Sequence, residues 1–214
     1  MEERDKKAAC LMLNVDLDTG VDISTVLDEN DIDFIERDPH VTIFYGPSEN
    51  PINKDRILDD IKDVLEEDYF DFIEFLKKEE DESVLKYFTL GNFENPDADY
   101  LVLKLNDDNI VSDNLKLIQK VLTRRYDILL SFSVFRPHVT LAKLKPGSSQ
   151  KYMSDEGVKR IVENSRVSFE DFVFSVGYET EKFKKYNLTT FHTLSRHFRL
   201  EEMKKLYEEI DIKW

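Results

Sequence analysis

Asp38-Pro39-His40-Val41-Thr42-Ile43-Phe44-Tyr45-Gly46 and Arg136-Pro137-His138-Val139-Thr140-Leu141-Ala142-Lys143-Leu144 share the tetrapeptide Pro-His-Val-Thr. These two stretches decide the fold. Both read as β-strands, because side chains alternate across an extended chain: His40 and Thr42 project from one face while Val41 and Ile43 project from the other, and His138 and Thr140 oppose Val139 and Leu141 in the same way. Each strand has an apolar back and a His-Thr front. A proline directly before each histidine suits a strand start, where the missing amide donor does least harm. The two histidines therefore stand near the beginnings of their strands.

Working outward, Leu11, Leu13 and Val15 form one face of a first strand, ended by Asp18-Thr19-Gly20, and Leu101, Leu103 and Leu105 alternate with Val102, Lys104 and Asn106 in a later one. Helical spacing links Ile57, Leu58, Ile61, Val64 and Leu65 after Asn53, a suitable N-cap, and again links Val111, Leu115, Ile118 and Leu122. A shorter helix is expected from about Ser154, burying Val158, Ile161 and Val162, and a C-terminal helix over about 200–211. Aromatic and β-branched content marks Phe70 to Leu76, Val84 to Phe93, Phe169 to Tyr178 and Asn187 to Leu194 as further strands. The acidic tract Glu79 to Glu82 and the stretch Lys145 to Gln150 read as exposed loops. The expectation is an α+β fold spanning residues 1–214 as a single domain. It is bilobal and duplicated, with two antiparallel sheets flanking a central cleft and helices on the outside.

Composition narrows the function. Of the 214 residues, 41% are hydrophobic and 12% aromatic, enough apolar surface to offset chain entropy, so wholesale disorder is excluded. A net charge of -15 opposes non-specific adhesion to long nucleic acid or anionic lipid. The single cysteine, Cys10, forms no internal disulfide and suits a reducing compartment. No segment approaches the roughly 20 apolar residues of a membrane span, and the N-terminus lacks a signal-peptide pattern. These features lead to the expectation of a cytoplasmic monomer without membrane partner.

Only four histidines occur, His40, His138, His192 and His197; the last two, expected on or beside a late strand, lack the Pro-His-Val-Thr setting of the first two and read as surface or packing histidines. If the two fronts face each other across a groove, two imidazoles and two hydroxyls surround one small group, an arrangement suited to a tetrahedral phosphate. Cleaving a phosphodiester without metal needs one group to deprotonate the attacking hydroxyl or water and another to protonate the departing oxygen. Imidazole titrates near neutrality and serves both roles, each contributing about a hundred- to ten-thousand-fold. The threonine hydroxyls donate hydrogen bonds to non-bridging oxygens as charge develops.

The paired His-x-Thr motifs, one in each half of the chain, resemble the signature of the two-histidine (2H, LigT-like) phosphoesterase superfamily. The resemblance is specific in the two nine-residue windows and covers most of the chain in layout. It implies a bilobal α+β fold with a central cleft, His40 and His138 as acid and base, Thr42 and Thr140 as phosphate ligands, and no metal or other cofactor. Substrates of the superfamily include 2',3'-cyclic phosphates, 2'-5' linked oligonucleotides, ADP-ribose cyclic phosphate and cyclic oligonucleotide signals. A small nucleotide is therefore the expected partner. Some members are viral or phage enzymes that destroy immune nucleotide signals, and a compact acidic chain whose first motif ends Phe44-Tyr45-Gly46 is a candidate for that group, acting in the host cytoplasm.

Beyond the four residues, Tyr45, Phe44, Tyr178 and Phe191 are candidates for stacking on a base, with core packing as the alternative for each. Arg136 and Lys143 flank the second motif as candidates to offset phosphate charge, with solvated surface charge as theirs. A metal site is not expected: there is no His-x-His, no helical His pair and no Cys cluster. Two matters stay open at this level. The near-symmetry of the motifs does not tell acid from base, and a sponge that binds a nucleotide in the same cleft without cutting it would need the same cleft.

Overall fold

The two motif strands, far apart in sequence, lie side by side in space. In the computed structural model, which describes residues 8–48, 52–53, 56–66, 68–78, 82–130, 132 and 134–176, β3 (His40–Pro47) runs antiparallel to β7 (His138–Leu144). They touch through the pair Val41 and Val139. Around this joint one sheet is built from β1 (Ala8–Asp18), β2 (Ile32–Ile35), β4 (Glu82–Ser83), β5 (Phe88–Glu94), β6 (Asp99–Leu105) and β8 (Arg166–Val176). The order is β4-β8-β1-β3-β7-β6-β5, with β2 paired to the far end of β7. The expected two sheets are the two arms of this single antiparallel sheet. They splay apart beyond the valine pair because β2, not β3, continues along β7 at Ala142 to Leu144.

The same irregularity interrupts both motif strands. Opposite β1, Phe44 faces Leu11 and Thr42 faces Met12, so Ile43 is an extra residue; opposite β6, Ala142 faces Leu101 and Thr140 faces Val102, so Leu141 is extra. A bulge of this kind resets the alternation of side chains. Ile43 and Phe44 are therefore both buried, as are Leu141 and Ala142.

Helices cover the apolar back of the sheet. These are α1 (Ile57–Leu65), α2 (Asp68–Lys78), α3 (Ile110–Arg125), α4 (Ser149–Tyr152) and α5 (Glu156–Asn164). Asn109 caps α3 by accepting from Ser112 N at 2.9 Å. The stripe Val111, Leu115, Ile118 and Leu122 is 0% exposed, each side chain contributing about 1.5–3 kcal/mol by leaving water. Asp60 on α1 accepts from Arg125 Nη1 at 2.6 Å and from the Tyr126 hydroxyl, pinning α1 to the end of α3. Burial and the neighbouring Asp60 carboxylate push the Tyr126 hydroxyl up to about 12.

Five expectations change. Phe70 to Leu76 is not a strand but the body of α2: Tyr69, Phe72, Ile73 and Leu76 are buried at helical spacing while Asp71 and Glu74 are exposed. Aromatic content alone favours a strand there, but the apolar residues recur with the period of a helix. Val84 to Phe93 begins as a 3-10 turn, Val84–Lys86, and turns into β5 only at Phe88. The N-cap of α1 is Arg56, whose N–H bonds to the Asn53 carbonyl, and the N-cap of α5 is Asp155, which accepts from Val158 N at 2.9 Å. The stretch Lys145 to Gln150 leads into α4 instead of staying a loop throughout. The expected strand Asn187 to Leu194 and helix 200–211 lie outside the described residues. Among the described residues no helix is long and apolar enough to cross a membrane.

Candidate active site

Each histidine is the first residue of its strand and is held by the chain just before it. His40 Nδ1 lies 2.8 Å from the Asp38 carbonyl, and His138 Nδ1 lies 2.7 Å from the Arg136 carbonyl. A carbonyl only accepts, so both Nδ1 atoms carry hydrogen, and in the neutral ring the lone pair sits on Nε2. The carbonyls of Pro39 and Pro137 meanwhile accept from Val15 N and Leu105 N, at 3.0 and 2.9 Å, locking both strand starts to their neighbours. Backbone alone thus sets tautomer and aim at both rings.

Antiparallel register about the Val41 and Val139 pair sets His40 across from Thr140 and Thr42 across from His138 on the front face. By this register the two histidines lie diagonally opposite each other on that face, as do the two threonines. His40 stands close enough for its charge to act on His138.

The surroundings of the two rings differ. His138 pairs in register with Lys104 on β6, whereas His40 pairs with Asn14 on β1. The Phe93 ring packs edge-on against His138, with centroids 4.8 Å apart and planes at 76°. Burial holds His138 below the ordinary imidazole value, the Arg136 carbonyl partly offsets this, and the charges of His40 and Lys104 lower it further. His138 is biased toward the neutral ring.

A cavity of about 830 Å³ opens on the front face beside His138. It is lined by Thr42, His138 and Thr140, by Asn92, Phe93, Glu94, Asn95, Tyr100 and Lys104 from β5, β6 and the turn joining them, and by Phe132, Val134, Phe135 and Arg136 ahead of β7. Phe132 and Phe135 stack at 6.4 Å and 26°. The volume exceeds that of a phosphate group and fits a nucleotide. Gly46 lets the chain after α3 lie close against β3, because a side chain there would collide with the Leu129 carbonyl, whose residue bonds through its N–H to the Pro47 carbonyl at 2.9 Å.

The other expected ligand contacts fare differently. Arg136 lines the cavity. Phe44 does not: the bulge at Ile43 turns it into the core, where it is 0% exposed and meets Phe174 edge-on at 6.4 Å. The same bulge puts Tyr45 on the front face, 49% exposed and outside the cavity wall. Lys143 also lies outside the wall, its ammonium paired with Asp33 of β2, which raises its pKa. Tyr178, Phe191, His192 and His197 lie outside the described residues. Lys104, Phe93 and Tyr100 were missed by sequence reasoning, since nothing local to residues 93–104 links them to position 138. Among the described residues no three His, Cys, Asp or Glu side chains gather as a metal site.

No family model matches the chain, and no curated protein matches it. Among the solved structures similar to it is that of Kluyveromyces marxianus Usb1, which aligns over 81% of this chain and 96% of its own at 13% identity and a TM-score of 0.47. The functional reading below rests on the geometry of the site.

Proposed function

We propose that the chain is a metal-independent phosphodiesterase of the two-histidine kind, acting on a small nucleotide with a 2'-5' linkage, a cyclic oligonucleotide ring or a 2',3'-cyclic phosphate. One observation carries the reading: two Nε2 atoms, each freed by an Nδ1–H bond to the carbonyl two residues back, share one face with two threonine hydroxyls. A scissile phosphate seated among the four would meet a proton acceptor, a proton donor and two hydroxyl donors.

The setting of His138, beside Lys104 and against Phe93, favours its neutral ring and suits it to the base role, leaving the acid role to His40. His138 Nε2 takes the proton of the attacking hydroxyl, the new P–O bond forms, and the bond to the leaving oxygen breaks as His40 delivers its proton there. If the attacking hydroxyl belongs to the neighbouring ribose the product is a cyclic phosphate; if it is water, a phosphomonoester. Thr42 and Thr140 stabilise charge on the non-bridging oxygens. Phe93, Tyr100, Phe132 and Phe135 offer apolar faces to a base. Destruction of an immune nucleotide signal in a cytoplasm is one use that fits such a substrate.

The test is incubation in EDTA with 2'-5' oligoadenylates, cyclic dinucleotides and 2',3'-cyclic mononucleotides, with products resolved by chromatography. Chelator-resistant turnover that disappears in His40→Ala and His138→Ala is expected. Turnover surviving both substitutions removes the assignment, and intact nucleotide recovered from a stoichiometric complex identifies a sponge instead.

A further inference from the structure

Lys104 has no acidic partner among the described residues, although the chain carries a large excess of acids and ion pairs elsewhere engage Lys78, Lys116, Lys143, Lys151 and Lys159. Its stem is laid down in one direction. Gly91 faces Val102 across β5 and β6, and a Cβ at Gly91 would fall 2.5 Å from Lys104 Cε and 2.7 Å from its Cδ. Gly91 lies outside the left-handed region, so the missing side chain makes room for the lysine and not for an unusual backbone turn. Beyond that trough the ammonium rests over the Phe93 ring, 4.9 Å from its centroid. Phe93 in turn packs on His138. A lysine normally loses much rotamer freedom on binding an anion; here the trough and ring have already restricted it. The counterpart position beside His40 holds Asn14, which is neutral. The cation therefore marks one side of the cleft.

We propose that Lys104 anchors a second phosphate of the substrate, adjoining the one that is cut, so that the site prefers nucleotides with at least two phosphates and binds them in one polarity with the additional phosphate on the His138 side. The proposal rests on the phosphodiesterase reading above. The scissile phosphate sits on the face that carries the two histidines and two threonines; the cavity, lined there by Thr42, His138 and Thr140 but not by His40, extends over β5 and β6 past Lys104, with Phe132, Phe135 and Arg136 on its other side. A terminal phosphate carries about -1.5 to -2 charge near pH 7 and accepts strong hydrogen bonds from an ammonium. Lys104 is a specificity residue in this account, acting on where the substrate sits and not on the bond that breaks.

The experiment uses three matched dinucleotides of one linkage: unmodified ApA, its 5'-phosphorylated form and its 3'-phosphorylated form. kcat/KM and, separately, calorimetric Kd are measured for the wild type, Lys104→Gln and Gly91→Ala. The wild type is expected to favour one of the two phosphorylated forms over ApA by about tenfold or more, in KM and Kd. That ratio should fall to near one in Lys104→Gln and drop partway in Gly91→Ala, whose methyl displaces only a flexible stem and leaves the fold intact by circular dichroism. Equal preference for both phosphorylated forms, no preference for either, or a ratio unchanged in Lys104→Gln overturns the proposal. Absence of turnover with a Kd ratio that still depends on Lys104 instead removes the phosphodiesterase reading and leaves the anion site standing.

Discussion

The arms around β3 and β7 use one backbone device and furnish it differently. In each, a proline carbonyl anchors the strand start, a carbonyl two residues before the histidine orients the ring, and a bulge follows the His-Val-Thr unit. Around His138 stand Phe93, Lys104 and the cavity; across from His40 stands Asn14. The shared device aims the rings alike, and the neighbours they do not share give each ring its own surroundings. Proton chemistry needs two similar groups in like geometry, whereas recognition of a substrate with two different ends needs an asymmetric wall.

The strongest way to break this comparison is to remove the rings. His40→Ala and His138→Ala should each lower kcat by about a hundred- to ten-thousand-fold in the chromatographic assay, and a large difference between them would show that one ring is not a proton carrier. Thr42→Ala and Thr140→Ala come next, each expected to cost about a hundredfold in kcat with little change in KM. If only one has an effect, the phosphate sits beside one arm and not between the two.

Gly46 tests a structural difference, because the corresponding place on β7 is Leu144, fully buried beside β2. Gly46→Ala should destabilise the protein by about 1–3 kcal/mol in urea unfolding, since the obstacle is the Leu129 backbone and not a movable side chain. The smallest effect is in the titration. His138 should titrate below the ordinary imidazole value of about 6.5 when followed by NMR, and Phe93→Ala should move it upward by admitting water. A folded-state pKa below the unfolded one means the unfolded chain binds more protons. This contribution to stability is therefore present above about pH 6.5 and is lost as pH falls through the folded value. A His138 value at or above 6.5 would give the base role back to either ring.

Much of this architecture is legible in the sequence. Period 3.6 at Val111, Leu115, Ile118 and Leu122 and period 2 at Leu11, Leu13 and Val15 follow from burying one face, and both elements stand where expected. Phe70 to Leu76 misled because aromatic residues suit strands and buried helix faces alike. Phe44 misled for another reason: strict alternation puts it beside His40, and a single extra residue at Ile43 reverses that. A bulge depends on the partner strand, which the local pattern does not contain.

The amino-acid sequence by itself determined the two Pro-His-Val-Thr strands, their apolar backs and the pairing of each histidine with a threonine, because covalent order and side-chain alternation are local properties. Only the tertiary structure decided that Val41 meets Val139, that Lys104 and Phe93 stand beside His138, and that Phe44 faces inward. Those outcomes depend on strand register between residues far apart in the chain, and register is set by how whole faces bury against one another.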